Sequence, residues 1–171
     1  MRSEKSPRSG VPITNNQYTN NPGRSPVAAV SACLAGKNCR YNGELKGNPE
    51  VMEKLKREGY EVVLFCPEDA CFGTPREAMD LTLTDEGIKA LTKFSKKERT
   101  SPIAEYAEKF FDDHPEVTLF VGKARSPSCG VCTARLYDEE GHLISEKEAG
   151  IMAAEAKARG IEALDDEVLL E

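Results

Sequence analysis

Six cysteines are the residues best equipped for chemistry in this chain: Cys33, Cys39, Cys66, Cys71, Cys129 and Cys132. They form three close pairs, C-x5-C, C-x4-C and C-x2-C. Only two histidines exist, His114 and His142, so a histidine-cluster catalyst is excluded. Clustered thiols read as disulfides, metal ligands or reactive groups. The start of the chain lacks the apolar segment of about 7–15 residues that export requires. No apolar run approaches the roughly 18 residues that span a bilayer. A reducing cytoplasm is therefore the expected compartment, and there ligands or reactive thiols outrank disulfides. Three converging thiolates suit a soft metal or an iron–sulfur cluster. A fourth would close a cluster as an electron carrier; three leave one iron open to a substrate as a Lewis acid. Zinc accepts the same set, especially through Cys129-x-x-Cys132, and buried cysteines also serve as small hydrophobes. Spacing alone leaves all three readings open.

Whether such distant thiols meet depends on the elements that carry them. Residues 27–30, 61–65 and 117–121 are apolar runs that predict buried strands. Residues 49–58 predict a helix, with Pro49 at its first position after Asn48 and Gly59 as its stop. Ser101 reads as a cap ahead of Pro102, opening a helix in which Ile103, Ala107, Phe110 and Phe111 share one face. Residues 134–137 and 142–144 flank Asp138-Glu139-Glu140-Gly141 as a small hairpin. Residues 147–159 predict a helix stopped by Gly160, and 161–164 a last strand. The charged stretch 82–100 is expected to be partly helical. Strands alternating with helices imply the α/β class: a Rossmann-like parallel sheet covered by helices, with a small β-hairpin. Residues 27–171 are expected to form one such domain. Residues 1–26 contain 14 Asn, Pro, Ser or Gly and carry a charge of +3. They are expected to be a disordered tail, an extension rather than a transit peptide.

In parallel sheets, ligands sit beyond the carboxyl ends of the strands. Cys33 follows the first strand, Cys66 directly follows the second, and Cys129 lies in the loop after the third. Those loops open at one end of the sheet, so the three thiols are expected to meet at one rim. Cys39, Cys71 and Cys132 are each expected to be inert core thiols, with a fourth ligand in a resting state, a sulfur store or a cluster-repair thiol as the alternatives, and the two histidines are expected to be surface residues. The net charge of −6 argues against a nucleic-acid polymer as partner, though not against a single nucleotide.

The residues around these cysteines sharpen the reading. Segments 30–43 (VSACLAGKNCRYNG), 66–77 (CPEDACFGTPRE) and 126–132 (SPSCGVC) resemble, in order, the three signatures of the thiouracil desulfidase (TudS-like) family, formerly a domain of unknown function. The resemblance runs over about residues 27–164. It implies a [4Fe–4S] cluster on Cys33, Cys66 and Cys129, and a small thiolated uracil base or nucleotide as substrate. Sulfur would leave as hydrosulfide and a carbonyl replace the thiocarbonyl, with no net electron transfer. On that basis Glu68, two residues from Cys66, is the candidate acid or base. Ser126 and Ser128, flanking the stiff Pro127, are candidates to hold the attacking water or relay its proton. Arg40 and Arg76 offer planar forks to a phosphate or a carbonyl edge. Ser31 and Asn42 are placed on the substrate side. The chain departs from the family pattern in three places. Residues 69–73 (DACFG) replace a longer double-glycine segment and bring Phe72 towards the expected pocket. Asn42 stands for a common Asp, and the tail has no counterpart. A zinc-bearing binding module is the alternative, as is a thiol redox protein using Cys129-x-x-Cys132. Pro127 and Gly130 weaken the latter, because they predict a loop rather than the helix N-terminus that stabilises a thiolate.

Overall fold

The computed structural model describes residues 25–44 and 47–171. Most of the expected tail, up to residue 24, lies outside the described residues. In chain order the elements begin with β1 (Val27–Ser31), a 3₁₀ turn (Ala32–Ala35), α1 (Pro49–Arg57), β2 (Glu61–Phe65) and α2 (Pro67–Phe72). A hairpin of β3 (Met79–Thr84) and β4 (Gly87–Thr92) follows, then α3 (Thr100–Asp113) and β5 (Val117–Gly122). A second hairpin, β6 (Ala134–Tyr137) and β7 (Leu143–Glu148), leads into α4 (Ile151–Ala158), β8 (Glu162–Asp165) and the short α5 (Asp166–Leu169).

Strands β2, β1, β5 and β8 make one sheet in that order, every pair parallel. The two central strands, VAAVS and VTLFVG, are buried along their whole length. Such continuous burial requires cover on both faces, which is why the runs are apolar without alternation. Val27, Ala29, Val117 and Phe120 face α3 and α4, where Ala107, Phe110, Phe111, Met152 and Ala153 complete one core. Ala28, Val30, Leu119 and Val121 face the other way, onto Val51 and Leu55 of α1 and Leu34 of the 3₁₀ turn. Phe65, at the end of β2, stacks on Phe120 with centroids 4.8 Å apart, which fixes the point where the chain passes into Cys66.

The second sheet, in the order β4-β3-β6-β7, corrects three expectations. Much of 82–100 is strand rather than helix. Met79, Leu81 and Ala90 fill a third core with Ile103, Ala134 and Leu136. The charged residues of the turn at Asp85 and Glu86, and Lys89, hide that period-two pattern in the sequence. The helix expected over 147–159 begins only at Ile151, because Glu146, Lys147 and Glu148 belong to an edge strand on β6. Ser101 does not cap α3. The helix starts one residue earlier, where Thr100 Oγ1 accepts a hydrogen bond from Ala90 N at 2.9 Å and ties it to β4.

Gly150 and Gly122 explain why the late start of α4 matters. A Cβ on Gly150 would lie 2.5 Å from the carbonyl carbon of Ser128 and 2.7 Å from Cys129 N; one on Gly122 would lie 1.8 Å from Cys129 O. The loop bearing Cys129 is thus clamped between two glycines against backbone that cannot swing away. Gly122→Ala and Gly150→Ala are each expected to destabilise the fold by at least the roughly 1–3 kcal/mol typical of overpacking. Urea melts of the metal-free variants check this; a wild-type midpoint for both would show that the loop is not clamped.

Candidate active site

From β1 the chain moves outward to β2 and later returns on the other side of β1 as β5, so the crevice between β1 and β5 is the sheet's switch point. A cavity of about 350 Å³ opens there. Nine of the ten expected site residues line it: Cys33, Cys66, Cys129, Glu68, Ser126, Ser128, Arg40, Arg76 and Ser31. Asn42 does not; its Oδ1 accepts from Glu44 N at 3.0 Å on an exposed turn. Phe72 also lies elsewhere, beneath the Arg99 guanidinium at 4.4 Å.

Each thiol reaches the cavity by a different local device. Cys33 sits in the 3₁₀ turn directly after β1, with Ser31 Oγ 3.4 Å from its sulfur. Cys66 is the extended residue between β2 and α2, and its N–H donates to Tyr106 Oη at 3.3 Å. Cys129 rides on a loop knitted from both sides. Ser126 Oγ accepts from Ser128 N at 3.2 Å and Cys129 N at 3.0 Å, while Ile151 N and Met152 N of α4 donate to Pro127 O and Ser128 O. The buried Asp165, at the end of β8, holds the far side by accepting from Val131 N at 2.7 Å, Cys132 N at 3.2 Å and Thr133 Oγ1 at 3.0 Å. Burial pushes the Cys129 thiol well above its ordinary range, against the pull of Ser128's hydroxyl. The Cys66 and Cys39 thiols are also raised, chiefly by burial.

Glu68 is neither an exposed cap nor a free carboxylate. Ser128 Oγ donates to its Oε2 at 2.6 Å, and Arg76 Nε donates to its Oε1 at 3.3 Å. Ser128 Oγ also lies 3.2 Å from Ser126 Oγ and 3.4 Å from Cys129 Sγ. A row of hydroxyls therefore runs from the cavity to a carboxylate beside the thiol. Arg76 is engaged throughout: its other nitrogens donate to Gly73 O, Thr74 Oγ1 and Cys39 O. Its fork holds Glu68 and the Cys39 loop in place. Arg40 differs. Its Nη1 is buried with no hydrogen-bond partner among the described residues, and Glu44 stands off at 3.8 Å.

The sequence left Cys39 outside the expected ligand set and did not single out Lys123 or Asp165. Cys39 and Lys123 line the same cavity. For Cys39 the C-x5-C pairing was the available signal; Asp165, at the end of the last strand, left none. Cys71 and Cys132, expected as core thiols, are instead exposed, on α2 and on the loop beyond Cys129, and neither lines the cavity.

The donor set can be tested against the two metal readings. A tetrahedral zinc with Zn–S of about 2.3 Å draws its sulfurs to within about 4 Å of one another. Among the described residues, no three thiols have their sulfurs within 4.8 Å. The thiols that line this cavity suit a soft metal or an iron–sulfur cluster, whose thiolates bind separate irons.

The chain matches the 2-thiouracil desulfurase family over residues 28–167. It belongs to that family. A solved structure of a [4Fe–4S]-dependent thiouracil desulfidase, TudS, is similar to it with a TM-score of 0.64 and 30% sequence identity, covering 84% of this chain and 92% of that one. No curated protein matches the chain. The family match embraces every thiol around the cavity, together with Glu68, Ser126 and Ser128. It ends just past Asp165 and Asp166, the buried carboxylates that anchor the loops after β5. No helix among the described residues of this 2-thiouracil desulfurase family member is long and apolar enough to cross a membrane.

Proposed function

We propose that this chain removes sulfur from a thiolated uracil base or nucleotide, holding a [4Fe–4S] cluster on Cys33, Cys66 and Cys129. The observation that carries the reading is the single cavity into which three separate strand ends deliver those thiols, with the Ser128–Glu68 pair in its wall. The similar TudS structure supports the choice of cluster. When bound, such a cluster supplies an iron without a protein thiolate, a Lewis acid towards a thiocarbonyl sulfur.

The reaction is a hydrolysis: a thiocarbonyl and water give a carbonyl and hydrogen sulfide. Two protons must leave the attacking water, and no electrons are exchanged. Ser126 Oγ, held by two backbone N–H groups, points its own proton towards Ser128. Ser128 donates to Glu68, so a proton taken from water in the cavity has a path through these hydroxyls to the carboxylate. Arg76 keeps Glu68 facing Ser128 rather than solvent. Arg40 and Lys123 give the cavity positive charge, and the orphaned Arg40 Nη1 suits a carbonyl or phosphate oxygen of the substrate.

The test is anaerobic reconstitution followed by assay with 2-thiouracil, 4-thiouracil, their nucleosides and nucleotides. A brown protein with iron and acid-labile sulfide that releases hydrogen sulfide and the oxo-pyrimidine supports the proposal. A colourless protein with one zinc, or a loaded protein inert towards the whole panel, defeats it. Within that panel, Arg40→Ala is expected to raise KM about 10- to 100-fold with kcat changed far less, the loss of one charged hydrogen bond. An unchanged KM for every substrate would remove Arg40 from recognition.

A further inference from the structure

We infer that Cys39 is a reserve thiol for this site: between turnovers its sulfur holds the iron that Cys33, Cys66 and Cys129 leave without a protein ligand, and the substrate's sulfur displaces it. The inference rests on the cluster reading above. Four thiols, not three, line the cavity. Cys39 is 4% exposed, as deeply placed as Cys129. Its backbone is pinned: its N–H donates to Lys37 O at 2.9 Å, and its carbonyl accepts from Arg76 Nη2 at 2.8 Å. Cys66 Sγ lies 3.8 Å from that same carbonyl. The thiol is the one part of Cys39 with no hydrogen bond to backbone, carboxylate or hydroxyl among the described residues. Its neighbour is the sulfur of Cys66, with Cys33 next nearest in electrostatic reach. Cys39 also lines a second cavity of about 400 Å³, together with Lys37 and Asp69.

Cys39 packs into the core on the α1 side of the sheet and also lines the cavity that holds the three proposed ligands. On binding iron, Cys39 exchanges its S–H bond for an S–Fe bond and passes the proton to solvent. Displacement by the substrate's sulfur reverses both, and no electron moves.

The test uses the reconstituted holoprotein, wild type beside Cys39→Ser and Cys39→Ala, with iron counted before and after one equivalent of ferricyanide. Ferricyanide takes one electron from [4Fe–4S]²⁺, giving [3Fe–4S]⁺ and free Fe²⁺, and the three-iron product is read by electron paramagnetic resonance. All three proteins are expected to load equal iron anaerobically, which also shows that the variants fold. Both variants are then expected to lose the fourth iron faster than wild type, by roughly ten- to a hundredfold, the range for removing a group that supports a metal site. Equal rates in wild type and Cys39→Ser overturn the inference. Fast loss in Cys39→Ala alone also overturns it, because serine keeps a hydrogen-bond donor for Cys66 but is a poor ligand for iron. A wild type that takes up no iron overturns the cluster reading itself, and this inference with it.

Discussion

Glu68→Gln is expected to load the full complement of iron and to turn over about 10²–10⁴-fold more slowly than wild type, the range for removing a positioned acid or base. The substitution preserves shape. Glutamine keeps one carbonyl oxygen, which can accept from Ser128 Oγ as Glu68 Oε2 does at 2.6 Å, while its NH2 gives up the acceptor that Arg76 Nε meets at 3.3 Å. What it cannot do is take a proton. Glu68 contributes no sulfur and lies on α2, two residues beyond Cys66, so loading should not change. KM should also hold if, as proposed, the residue acts on water rather than on the pyrimidine. Iron analysis and steady-state kinetics on one preparation decide it. Wild-type kcat at full loading removes Glu68 from the chemistry; loss of iron makes it a structural partner of Arg76 instead.

The first sheet and its cysteines were legible in the sequence for a physical reason. Strands buried on both faces are apolar at nearly every position, and VAAVS and VTLFV show this with only Ser31 and Thr118 as polar members. Their shared direction puts Cys33, Cys66 and Cys129 at one end of the sheet. The second sheet was not legible. Its strands β3, β4 and β7 bury one face at most, and β7 carries Glu146, Lys147 and Glu148 in a run that reads equally well as a helix. Nor was Arg76's role legible. Thr74-Pro75-Arg76 looks like a presented cation in the sequence, but its fork turns inward to Glu68 and to the Cys39 carbonyl, a residue 37 positions away. Partners at such separation leave no local pattern. Gly150 shows the same limit: its need for a bare α-carbon arises from Ser128 and Cys129, on a loop across a hairpin.

Cys129→Ser is expected to reduce iron content to about a tenth of wild type or less and to abolish desulfidation, because a serine oxygen is a hard, weakly acidic substitute for a soft thiolate. Cys71→Ser and Cys132→Ser are the matched comparisons. Both thiols are exposed and lie outside the cavity, the first against Pro102 O at 3.6 Å and the second against Asp165 at 3.5 Å, so both variants should keep their iron. Cys129 is also part of the main core, so thermal melts of the metal-free proteins must accompany the iron counts. The pH dependence separates ligation from packing. In the metal-free fold, burial holds the Cys129, Cys66 and Cys39 thiols above their ordinary value of 9.0. The unfolded chain therefore loses those protons first, and the metal-free wild type should weaken as pH rises through about 9. Ligation needs the opposite form, so loading releases protons and should strengthen over the same rise. Cys129→Ser removes one titrating thiol from both trends. A variant that loads iron as wild type does, with an unaltered pH dependence, would take Cys129 out of the ligand set.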